Sequence, residues 1–350
     1  MSVNGLLDSI TAIDESVRSK ARTYTAQLLK APSALGRLET LGGQLCAISG
    51  SIPPDLPHPA ALVVFAADHG VTDDDLTRWP PDASARMTRA MCEGTTALVS
   101  IARALGVGAV VVDVGLRETL DGVPMLQRRK VRCGTDDIQR TEAMSVADVE
   151  AAMAVGIDVA EELIADGARC LVPADLAMSG DTAANALIAT ILGVDADALT
   201  ARQGSAVEHT AARHRVLTDV LARSHHADDT FDLLADIGGL EIAAIVGFLL
   251  AAAEHRVPVI LDGTVALSAA LVAVELCPPV RSVLVAGHRS DDAGARLVLE
   301  RLRLEPVLDL DVRMGDGTGA VLALPVLVAA AAALRDMATF ESAGIPAVCG

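Results

Sequence analysis

Five short apolar runs alternate with helical stretches along this chain, and that alternation restricts the fold more than any other feature. The runs are AALVVFAADHG (60–70), VGAVVVDVGL (107–116), ARCLVPADL (168–176), VPVILDG (257–263) and VRSVLVAGHRS (280–290). Continuous rather than alternating apolar residues are typical of parallel strands that are buried on both faces. Strands separated by helices predict an α/β fold with a doubly wound parallel sheet.

The two ends of the chain differ from this alternating middle. Residues 5–50 carry apolar residues at helical spacing, and SIPPDLPHP (51–59), with its four prolines, ends that pattern. From residue 321 the chain is rich in alanine and again helical in character. We therefore predict a helical part at 1–50, a large α/β domain at 58–320 and a second helical part at 321–350.

The charge balance excludes one class of partner. The chain of 350 residues carries a formal net charge of −18 at pH 7, and no stretch of it is basic. Nucleic acids and anionic membrane surfaces both require a basic face. We therefore expect no nucleic acid and no membrane among its partners. The longest apolar run, at 319–334, contains Pro325 and is shorter than the roughly 20 residues that span a bilayer.

We predict a cytoplasmic protein without a metal or a cofactor, and the cysteines and the first residues bear on its compartment and on structural zinc. The six cysteines are scattered, with no CxxC pair and no histidine at ligand spacing from them. Structural zinc needs such spacing, whereas isolated thiols are typical of a reducing compartment. The N-terminal segment MSVNGLLDSI lacks a basic start followed by an apolar run, so we expect no signal peptide.

Polar residues and glycines collect directly after the predicted strands. Asp68 and His69 follow the first run, Asp262 the fourth, and His288 and Ser290 the fifth. The carboxyl ends of parallel strands form one edge of the sheet, where folds of this class bind ligands, so these residues are candidates for a site. An Asp–His pair can act as a base with its orienting partner, or can simply end a strand and cap the next helix.

Two glycine-containing turns precede predicted helices. SGDTAAN (179–185) joins Gly180 and Thr182 to a helix start, and backbone N–H groups in such turns can bind phosphate. In IGGLEIAAIVGF (237–248), Glu241 lies in the first turn, where a carboxylate complements the positive helix end. Neither turn is a P-loop, and no GxGxxG follows a strand, so the dinucleotide fingerprint is missing.

One acidic residue lies among glycines near the end of the large domain. The segment VRMGDGTG (312–319) places Asp316 between Gly315 and Gly317, three residues after Arg313. Glycines let the backbone approach a ligand closely, and an arginine can hold an anionic group by a bidentate contact. Asp316 is therefore a candidate general base, although a turn residue without chemistry fits the same pattern.

Several segments occur together in an order that points to one family. They are KAPSALGRLE (30–39), VVFAADHGV (63–71), WPPDASARM (79–87), GGLEIAAIVGF (238–248), PVILDG (258–263), AGHRSDDAGARLVLERLRLEPVLDLDVRMGDGTGA (286–320) and MATFESAG (337–344). Over nearly its full length, the chain resembles the nicotinate-nucleotide:dimethylbenzimidazole phosphoribosyltransferase family. The long block at 286–320 is the most specific of these segments.

The resemblance implies a fold and a reaction. The fold would be a Rossmann-like parallel sheet with a smaller helical lobe built from both chain ends, in a homodimer that needs no metal. The reaction moves phosphoribose from nicotinate mononucleotide to a benzimidazole-type base, in the assembly of the cobalamin lower ligand, and releases nicotinate. The expected partners are these two small molecules and a second copy of the chain.

The resemblance also implies the role of Asp316. The general base of the family is a Glu in an Arg-x-Gly-Glu-Gly pattern, and the matching residues here are Arg313, Met314, Gly315, Asp316 and Gly317. The missing methylene withdraws the carboxylate by about 1.5 Å, the length of one carbon–carbon bond. We expect Asp316 to be the base and Arg313, Gly315 and Gly317 to bind substrate.

Other positions of the expected pocket also depart from the family pattern. Arg86 replaces a neutral amide in the base pocket, Trp79 enlarges its aromatic wall, and Asp181 places a negative charge near the expected phosphate. The remaining residues expected to bind substrate, from the resemblance or as strand ends, are Asp68, His69, Met87, Asp175, Gly180, Thr182, Gly204, Asp262 and Ser290.

Three functions therefore remain open at the level of the sequence. The first is the family reaction with Asp316 as base. The second is a transferase of the same fold with a different acceptor or donor, which a cation at Arg86 favours. The third is a catalytically inactive ligand-binding or partner homologue, which Asp316 and Asp181 favour.

Overall fold

A six-stranded parallel sheet forms the centre of the protein. The computed structural model describes residues 3–71, 76, 79–80, 82–200, 207–224 and 229–346. The strands are β1 (Ala60–Ala67), β2 (Gly108–Gly115), β3 (Leu126–Arg128), β4 (Cys170–Leu176), β5 (Val259–Leu261) and β6 (Leu284–Ala286). They pair in the order β3-β2-β1-β4-β5-β6, and every pair is parallel. The predicted α/β class with a doubly wound parallel sheet is confirmed.

Five of the strands coincide with the five apolar runs, and β3 has no counterpart among them. β1 is buried at all eight positions, as a central parallel strand requires. β3 consists of LQR, is at most half-buried and pairs only with β2 at the edge of the sheet. A short edge strand buries little apolar surface, so it leaves no apolar run in the sequence.

Helices cover both faces of the sheet. The side chains of Val63 and Phe65 in β1 belong to one apolar core, and those of Leu62 and Val64 belong to a second core on the opposite face. The helices are α1 (Val3–Ser9), α2 (Glu15–Gln27), α3 (Arg37–Ser49), α4 (Ala83–Cys92), α5 (Ala97–Ala104), α6 (Val146–Ala165), α7 (Gly180–Leu192), α8 (Ala196–Thr200), α9 (Val207–Arg223), α10 (Thr230–Ile237), α11 (Leu240–Glu254), α12 (Gly263–Leu276), α13 (Ala293–Leu302) and α14 (Thr318–Asp336). A 3₁₀-helix spans Pro278–Val283.

The helices α6 and α11 pack with their backbones in close approach. A Cβ atom on Gly156 would overlap the carbonyl oxygen of Ala244, and one on Gly247 would overlap the carbonyl oxygen of Met153. Only glycine permits this separation, and α11 is buried along almost its whole length as a result. The first turn of α11, which contains Glu241, therefore lies in the interior of the protein.

Both ends of the chain contribute to a small third core. Ala21, Leu28, Cys46 and Leu334 form this core, which combines residues near α2, in α3 and in α14, and Leu28 pairs with Thr339 in an antiparallel bridge. By contrast, α1 packs against α6 and α11. The packing of α2, α3 and α14 is what a lobe built from both chain ends requires. The domain limits at 1–50, 58–320 and 321–350 stay a prediction.

Within the described part of the chain, α14 is the one helix that is long and apolar enough to cross a membrane. It has 19 residues, and 56% of its apolar window is buried inside the protein. It packs against α3, α5 and β5. Helices in the core of large proteins share this composition, so burial accounts for the apolar character of α14.

The strand order creates a crevice at one point of the sheet. From β1 the chain proceeds to β2 and β3 on one side, and then crosses to β4 on the other side of β1. Such a reversal is a topological switch point, and open α/β sheets bind ligands in the crevice outside the carboxyl ends of the two strands beside it. Here those strands are β1 and β4, which are followed by several of the predicted site residues.

Candidate active site

A cleft opens at the carboxyl edge of the sheet, beside the switch point. It is open to solvent and has an empty volume of about 1020 Å³. Its walls come from the segment before α4, from the turns after β4 and β5, from α9 and from two segments that follow β6. Predicted site residues that line it are Trp79, Asp175, Asp262, Ser290, Arg313 and Gly315. The cleft therefore combines residues that are far apart in the sequence.

The residues after β1 are buried and have structural partners. The Nε2 atom of His69 lies 2.7 Å from Oε1 of Glu241, and both side chains are fully buried. A Cβ atom on Gly239 would lie 2.6 Å from the same Oε1 atom, so the pair is packed tightly against the start of α11. Asp68 accepts a hydrogen bond at 2.9 Å from the backbone N–H of Arg117. His69 and Asp68 are not among the residues that line the cleft.

The charge of Glu241 determines the protonation of His69. Burial alone would lower the pKa of His69, but the negative charge of Glu241 and its hydrogen bond outweigh this effect and raise the pKa above the usual 6.5. Burial and Glu241 therefore act in opposite directions on His69, and the contact with Glu241 favours its imidazolium form. The sequence indicates Glu241 only as a carboxylate at a helix start, and its partner His69, just after β1, is apparent only in the folded chain.

The end of β4 contributes a carboxyl group with unusual titration. Oδ1 of Asp175 is buried and has no hydrogen-bond partner among the described residues. Burial, together with the charges of Glu241 and Asp316, raises the pKa of Asp175 well above the usual 3.8. A carboxyl group that retains its proton can donate a hydrogen bond to a ligand, which an ionised one cannot.

The turn between β4 and α7 is closed by its own hydrogen bonds. Ser179 has a φ of 67°, in the left-handed region, and its Oγ atom is buried without a partner among the described residues. Gly180 N donates to Ala177 O at 3.1 Å, and Thr182 N donates to Ser179 O at 3.0 Å. These bonds occupy the N–H groups of Gly180 and Thr182. What the turn offers an anion is therefore the positive end of the α7 dipole and the hydroxyl of Ser179.

Arg213 is a cleft residue that the sequence does not reveal. Its guanidinium lies 3.0 Å from Oδ2 of Asp181, and both side chains are about three-tenths exposed. The two residues line the main cleft and also an adjoining cavity of about 370 Å³ that includes Thr182. The negative charge expected near the phosphate thus has an arginine beside it. No motif marks Arg213, because it reaches the cleft from the distant helix α9.

The glycine-rich segment before α14 forms one wall of the cleft. Arg313 lies 3.5 Å from Oδ2 of Asp291, and Gly315 packs against the start of α12. Oδ1 of Asp316 accepts hydrogen bonds from Thr318, at 3.1 Å from the backbone N–H and at 2.6 Å from Oγ1. Asp316 is half-buried, and its Oδ1 atom is turned towards α14. The neighbouring Gly315 lines the cleft, whereas Asp316 is not among the residues that line it.

The ends of β5 and β6 supply further predicted residues. Burial raises the pKa of Asp262, and its Oδ2 atom accepts a hydrogen bond from Gly319 N at 2.8 Å. Oγ of Ser290 accepts a hydrogen bond from Asp292 N at 3.2 Å. Asp262 and Ser290 therefore line the cleft while they also hold the surrounding turns.

The segment at 79–87 meets the expectation only in part. Trp79 lines the cleft and its side chain is 60% exposed, whereas Met87 packs against the core on the α4 face. Arg86 does not reach the cleft: its side chain is 72% exposed and its Nε atom lies 2.7 Å from Oδ2 of Asp82, one turn earlier in α4. The expected cation in the base pocket is thus absent at Arg86, because α4 directs this side chain to solvent. Gly204 lies outside the described residues.

Within the described residues, one cluster has the composition of a metal site. Glu161, Glu254 and His255 place their ligand atoms within 4.8 Å of one another. Glu254 ends α11, whereas Glu241 near the cleft begins the same helix, so the cluster lies about a helix length from the cleft. His255 is exposed, and none of the three residues lines the cleft.

The fold and the cleft together define a class of protein. They describe an α/β enzyme that binds its ligand at the carboxyl edge of a Rossmann-like sheet. A family model described as phosphoribosyltransferase matches residues 10–345 of the chain. Nearly the whole sequence, including every described segment of the cleft, falls within this match.

Individual relatives narrow this class to one family. The nicotinate-nucleotide–dimethylbenzimidazole phosphoribosyltransferase of Salinispora tropica is 39% identical over 96% of this chain and 97% of its own. The enzyme of the same name from Thermus thermophilus is 39% identical over 95% and 99%. The crystal structure of CobT from Thermus thermophilus superposes with a TM-score of 0.90 at 38% identity, covering 95% of this chain and 99% of the other. The chain belongs to the nicotinate-nucleotide–dimethylbenzimidazole phosphoribosyltransferase family, a family of transferases.

Proposed function

We propose that this protein transfers phosphoribose from nicotinate mononucleotide to a benzimidazole-type base, with Asp316 as the general base. The names of its full-length relatives state this donor and a dimethylbenzimidazole acceptor for those proteins. The observation that carries the proposal to this chain is the segment at 312–317. It brings Arg313 to the cleft at the carboxyl edge of the sheet, and Asp316 follows directly after Gly315, the last residue of this segment that lines the cleft.

Two arginines in the cleft suit the phosphate of the donor. Arg213 and Arg313 line the cleft on different elements, and each lies next to an aspartate, Asp181 or Asp291. A guanidinium can exchange a carboxylate for a phosphate, because both accept its planar pair of N–H donors. A proton on Asp175 removes one negative charge from the floor of this acidic cleft and so favours an anionic ligand.

The remaining chemistry requires one base and a place for a flat ring. As the bond from the ribose carbon to the nicotinate nitrogen breaks, its electron pair stays with nicotinate. One nitrogen of the benzimidazole attacks the same carbon, and the N–H proton of the other nitrogen passes to a carboxylate. Trp79 and Met178 supply apolar surface to the cleft for such a ring. Asp316 is the proposed acceptor of that proton.

The contacts of Asp316 leave one oxygen for this task. Both hydrogen bonds from Thr318 reach Oδ1, and no described residue donates to Oδ2. Thr318 therefore fixes the carboxylate while its second oxygen can accept a proton from the base. Since Asp is shorter than Glu, the base must approach more closely or the segment at 312–317 must shift inwards.

The structure weakens the case for an acceptor of a different kind. That case rests on a cation at Arg86, which faces solvent and pairs with Asp82. The other alternative is a catalytically inactive homologue, because the shortened carboxylate of Asp316 fits an inactive protein as well as a slow enzyme. Turnover separates the two.

The test is an assay of purified protein with nicotinate mononucleotide and 5,6-dimethylbenzimidazole, in which nicotinate and α-ribazole phosphate are followed by chromatography. We expect equal amounts of both products, a loss of about 100-fold or more in Asp316→Ala, and unchanged turnover in Asp309→Ala, an exposed aspartate nearby. Turnover that survives in Asp316→Ala would exclude Asp316 as the base. A folded wild-type protein that releases no nicotinate would contradict the proposed reaction.

We further propose that the protein acts in the cytoplasm as a homodimer, without nucleic acid or a membrane as partner. The net charge of −18 supports the absence of nucleic acid, and the five described cysteines carry free thiols, as a reducing compartment requires. Light scattering after size-exclusion chromatography measures the mass. Twice the mass of the chain is expected, and a monomeric mass at micromolar concentration would contradict the homodimer.

A further inference from the structure

The chain between α13 and α14 runs beside the end of β6 before it crosses the cleft. Val307 N donates to Ala286 O and Leu308 N donates to Gly287 O, both at 2.9 Å. Arg289 N donates back to Leu308 O at 2.9 Å. These bonds extend the parallel pairing of the sheet beyond β6 and hold the segment up to residue 308.

A side chain makes the next bond in this series. Leu310 N donates a hydrogen bond to the Nε2 atom of His288 at 3.0 Å. Asp311 then adopts a φ of 54°, a left-handed turn, and Val312 to Gly315 line the cleft. His288 is therefore the last anchor of the chain before the segment that carries Arg313 and Asp316.

The bond from Leu310 fixes the tautomer of the histidine. A ring nitrogen that accepts from a backbone N–H has no hydrogen of its own, so the proton of a neutral His288 is on Nδ1. Nδ1 lies 4.0 Å from Oδ1 of Asp262, and the His288 side chain is 1% exposed. A Cβ atom on Gly319 would overlap the Cβ of His288, so the start of α14 packs directly against it.

Asp262 holds the other end of the same segment. Its Oδ2 atom accepts from Gly319 N at 2.8 Å, while its Oδ1 atom faces His288. The cleft segment at 311–317 is therefore attached on one side to His288, through Leu310, and on the other side to Asp262, through Gly319. The two anchoring side chains are themselves neighbours.

We propose that His288 is a positioning residue, whose neutral ring accepts the Leu310 amide and thereby holds the segment at 311–317 over the cleft. This inference rests on the proposed function, because it assigns a purpose to the placement of Asp316. The acceptor on Nε2, rather than the bulk of the ring, is the property that matters. A displacement of about 1 Å at a reacting group can cost on the order of 100-fold in rate.

A matched pair of substitutions separates the acceptor from the bulk. In His288→Gln the side-chain oxygen can reach the position of Nε2 and accept from Leu310. In His288→Asn the polar atoms end near the position of Nδ1, so the Leu310 N–H loses its acceptor. Both variants remove the ring, and both carry a neutral amide in its place. Their difference therefore reports on the bond to Leu310.

The experiment measures hydrogen–deuterium exchange of the peptide covering residues 306–317, together with steady-state kinetics, on full-length variants. We expect His288→Asn to exchange at least about tenfold faster and to lose about 100-fold in kcat with a smaller change in KM. His288→Gln should stay within a few-fold of wild type in both measurements. Equal behaviour of the two variants, whether both intact or both impaired, would overturn the proposal.

The tautomer supplies a second test that needs no variant to be active. In ¹⁵N-histidine-labelled wild-type protein, the resonances of His288, assigned by their absence in His288→Gln, should show a proton on Nδ1 and none on Nε2. A proton on Nε2 at neutral pH would overturn the proposal. Exchange and tautomer are read in the protein without substrate, so these results stand even if the proposed reaction is not observed.

Discussion

Arg213 has a carboxylate beside it in the part of the cleft where the phosphate of the donor is proposed to bind. Asp181, at the start of α7, lies 3.0 Å from its guanidinium. An incoming phosphate must therefore compete with Asp181 for Arg213, which lowers the affinity for the donor. The contact with Asp181 also keeps the Arg213 guanidinium oriented when no ligand is bound.

We predict that Asp181→Thr lowers the KM for nicotinate mononucleotide by roughly tenfold, whereas Arg213→Gln raises it by a similar factor. In Asp181→Thr the Arg213 guanidinium no longer pairs with a carboxylate and is available to the phosphate. In Arg213→Gln the charged hydrogen bond from the guanidinium to the phosphate is lost. Initial rates at varied donor concentration measure both values. Arg89→Gln, which removes an exposed ion pair with Glu118, is the control. A KM that rises in Asp181→Thr would place the phosphate elsewhere.

The buried pair of His69 and Glu241 links the end of β1 to the start of α11. Replacing Glu241 by Ala leaves His69 buried without its counter-charge, and breaking a buried ion pair in this way costs about 3–5 kcal/mol. We predict a loss of this size in the free energy of unfolding, measured in urea. The control is Glu254→Ala at the other end of the same helix, where the side chain is partly exposed and accepts a hydrogen bond from Ser9, and which should change the free energy by much less.

The same pair makes stability depend on pH in a defined direction. The pKa of His69 is raised in the folded chain, so its contribution is fully present below its usual value of 6.5 and is lost as the pH rises through the higher folded pKa. The difference in unfolding free energy between wild type and His69→Gln should therefore shrink as the pH rises above 6.5. A difference that grows with pH would show that His69 is neutral in the folded protein.

Single residues also show where sequence-based prediction reaches its limit. Asp175, Asp262 and Arg313 are predictable because each stands next to a strand end or among glycines, and all three line the cleft. Arg213 is not predictable, since a helix surface arginine has no local signature and only the packing of α9 brings it to the cleft. Arg86 illustrates the opposite case, because its place in the pattern says nothing about which face of α4 it occupies.

Among the elements, the contact between α6 and α11 is the most sensitive to a single methyl group. We predict that Gly156→Ala destabilises the protein by about 1–3 kcal/mol, because the new Cβ atom overlaps a carbonyl oxygen of α11 and forces the helices apart. Thermal and urea unfolding measure the loss.

Gly43 in α3 is the matched control for this substitution. It also lies within a helix, but a Cβ atom there would contact nothing within 4 Å. Gly43→Ala should leave stability unchanged or raise it by up to about 1 kcal/mol, since alanine favours the helix. Equal destabilisation by both substitutions would show that helix propensity, rather than contact with α11, determines the effect.

The elements themselves follow from the sequence to the extent that they are buried. The five strands with predicted apolar runs are covered by helices on both faces, so burial leaves a continuous apolar segment in each. β3 lacks that signal because it lies at the edge. The helices are predictable as helices. Their packing partners are not predictable, because contacts such as that of Glu241 in α11 with His69 join segments that are far apart in the sequence.

For the whole molecule, the net charge of −18 opposes the approach of an anionic donor. Salt screens this repulsion, so we predict that kcat/KM for nicotinate mononucleotide rises about two- to fivefold between roughly 10 and 150 mM NaCl. Initial rates at low donor concentration provide the measurement. A steady fall of kcat/KM with salt would mean that attraction of the donor by Arg213 and Arg313 outweighs repulsion by the net charge.

The small core that joins both chain ends has a consequence for how the protein is made. Leu28 and Cys46 emerge from the ribosome long before Leu334, with which they pack. At about 5–20 residues per second, translation of the roughly 290 intervening residues takes about 15–60 s. During this interval α2 and α3 lack their partner α14, so this small core can form only when synthesis of the chain is nearly complete.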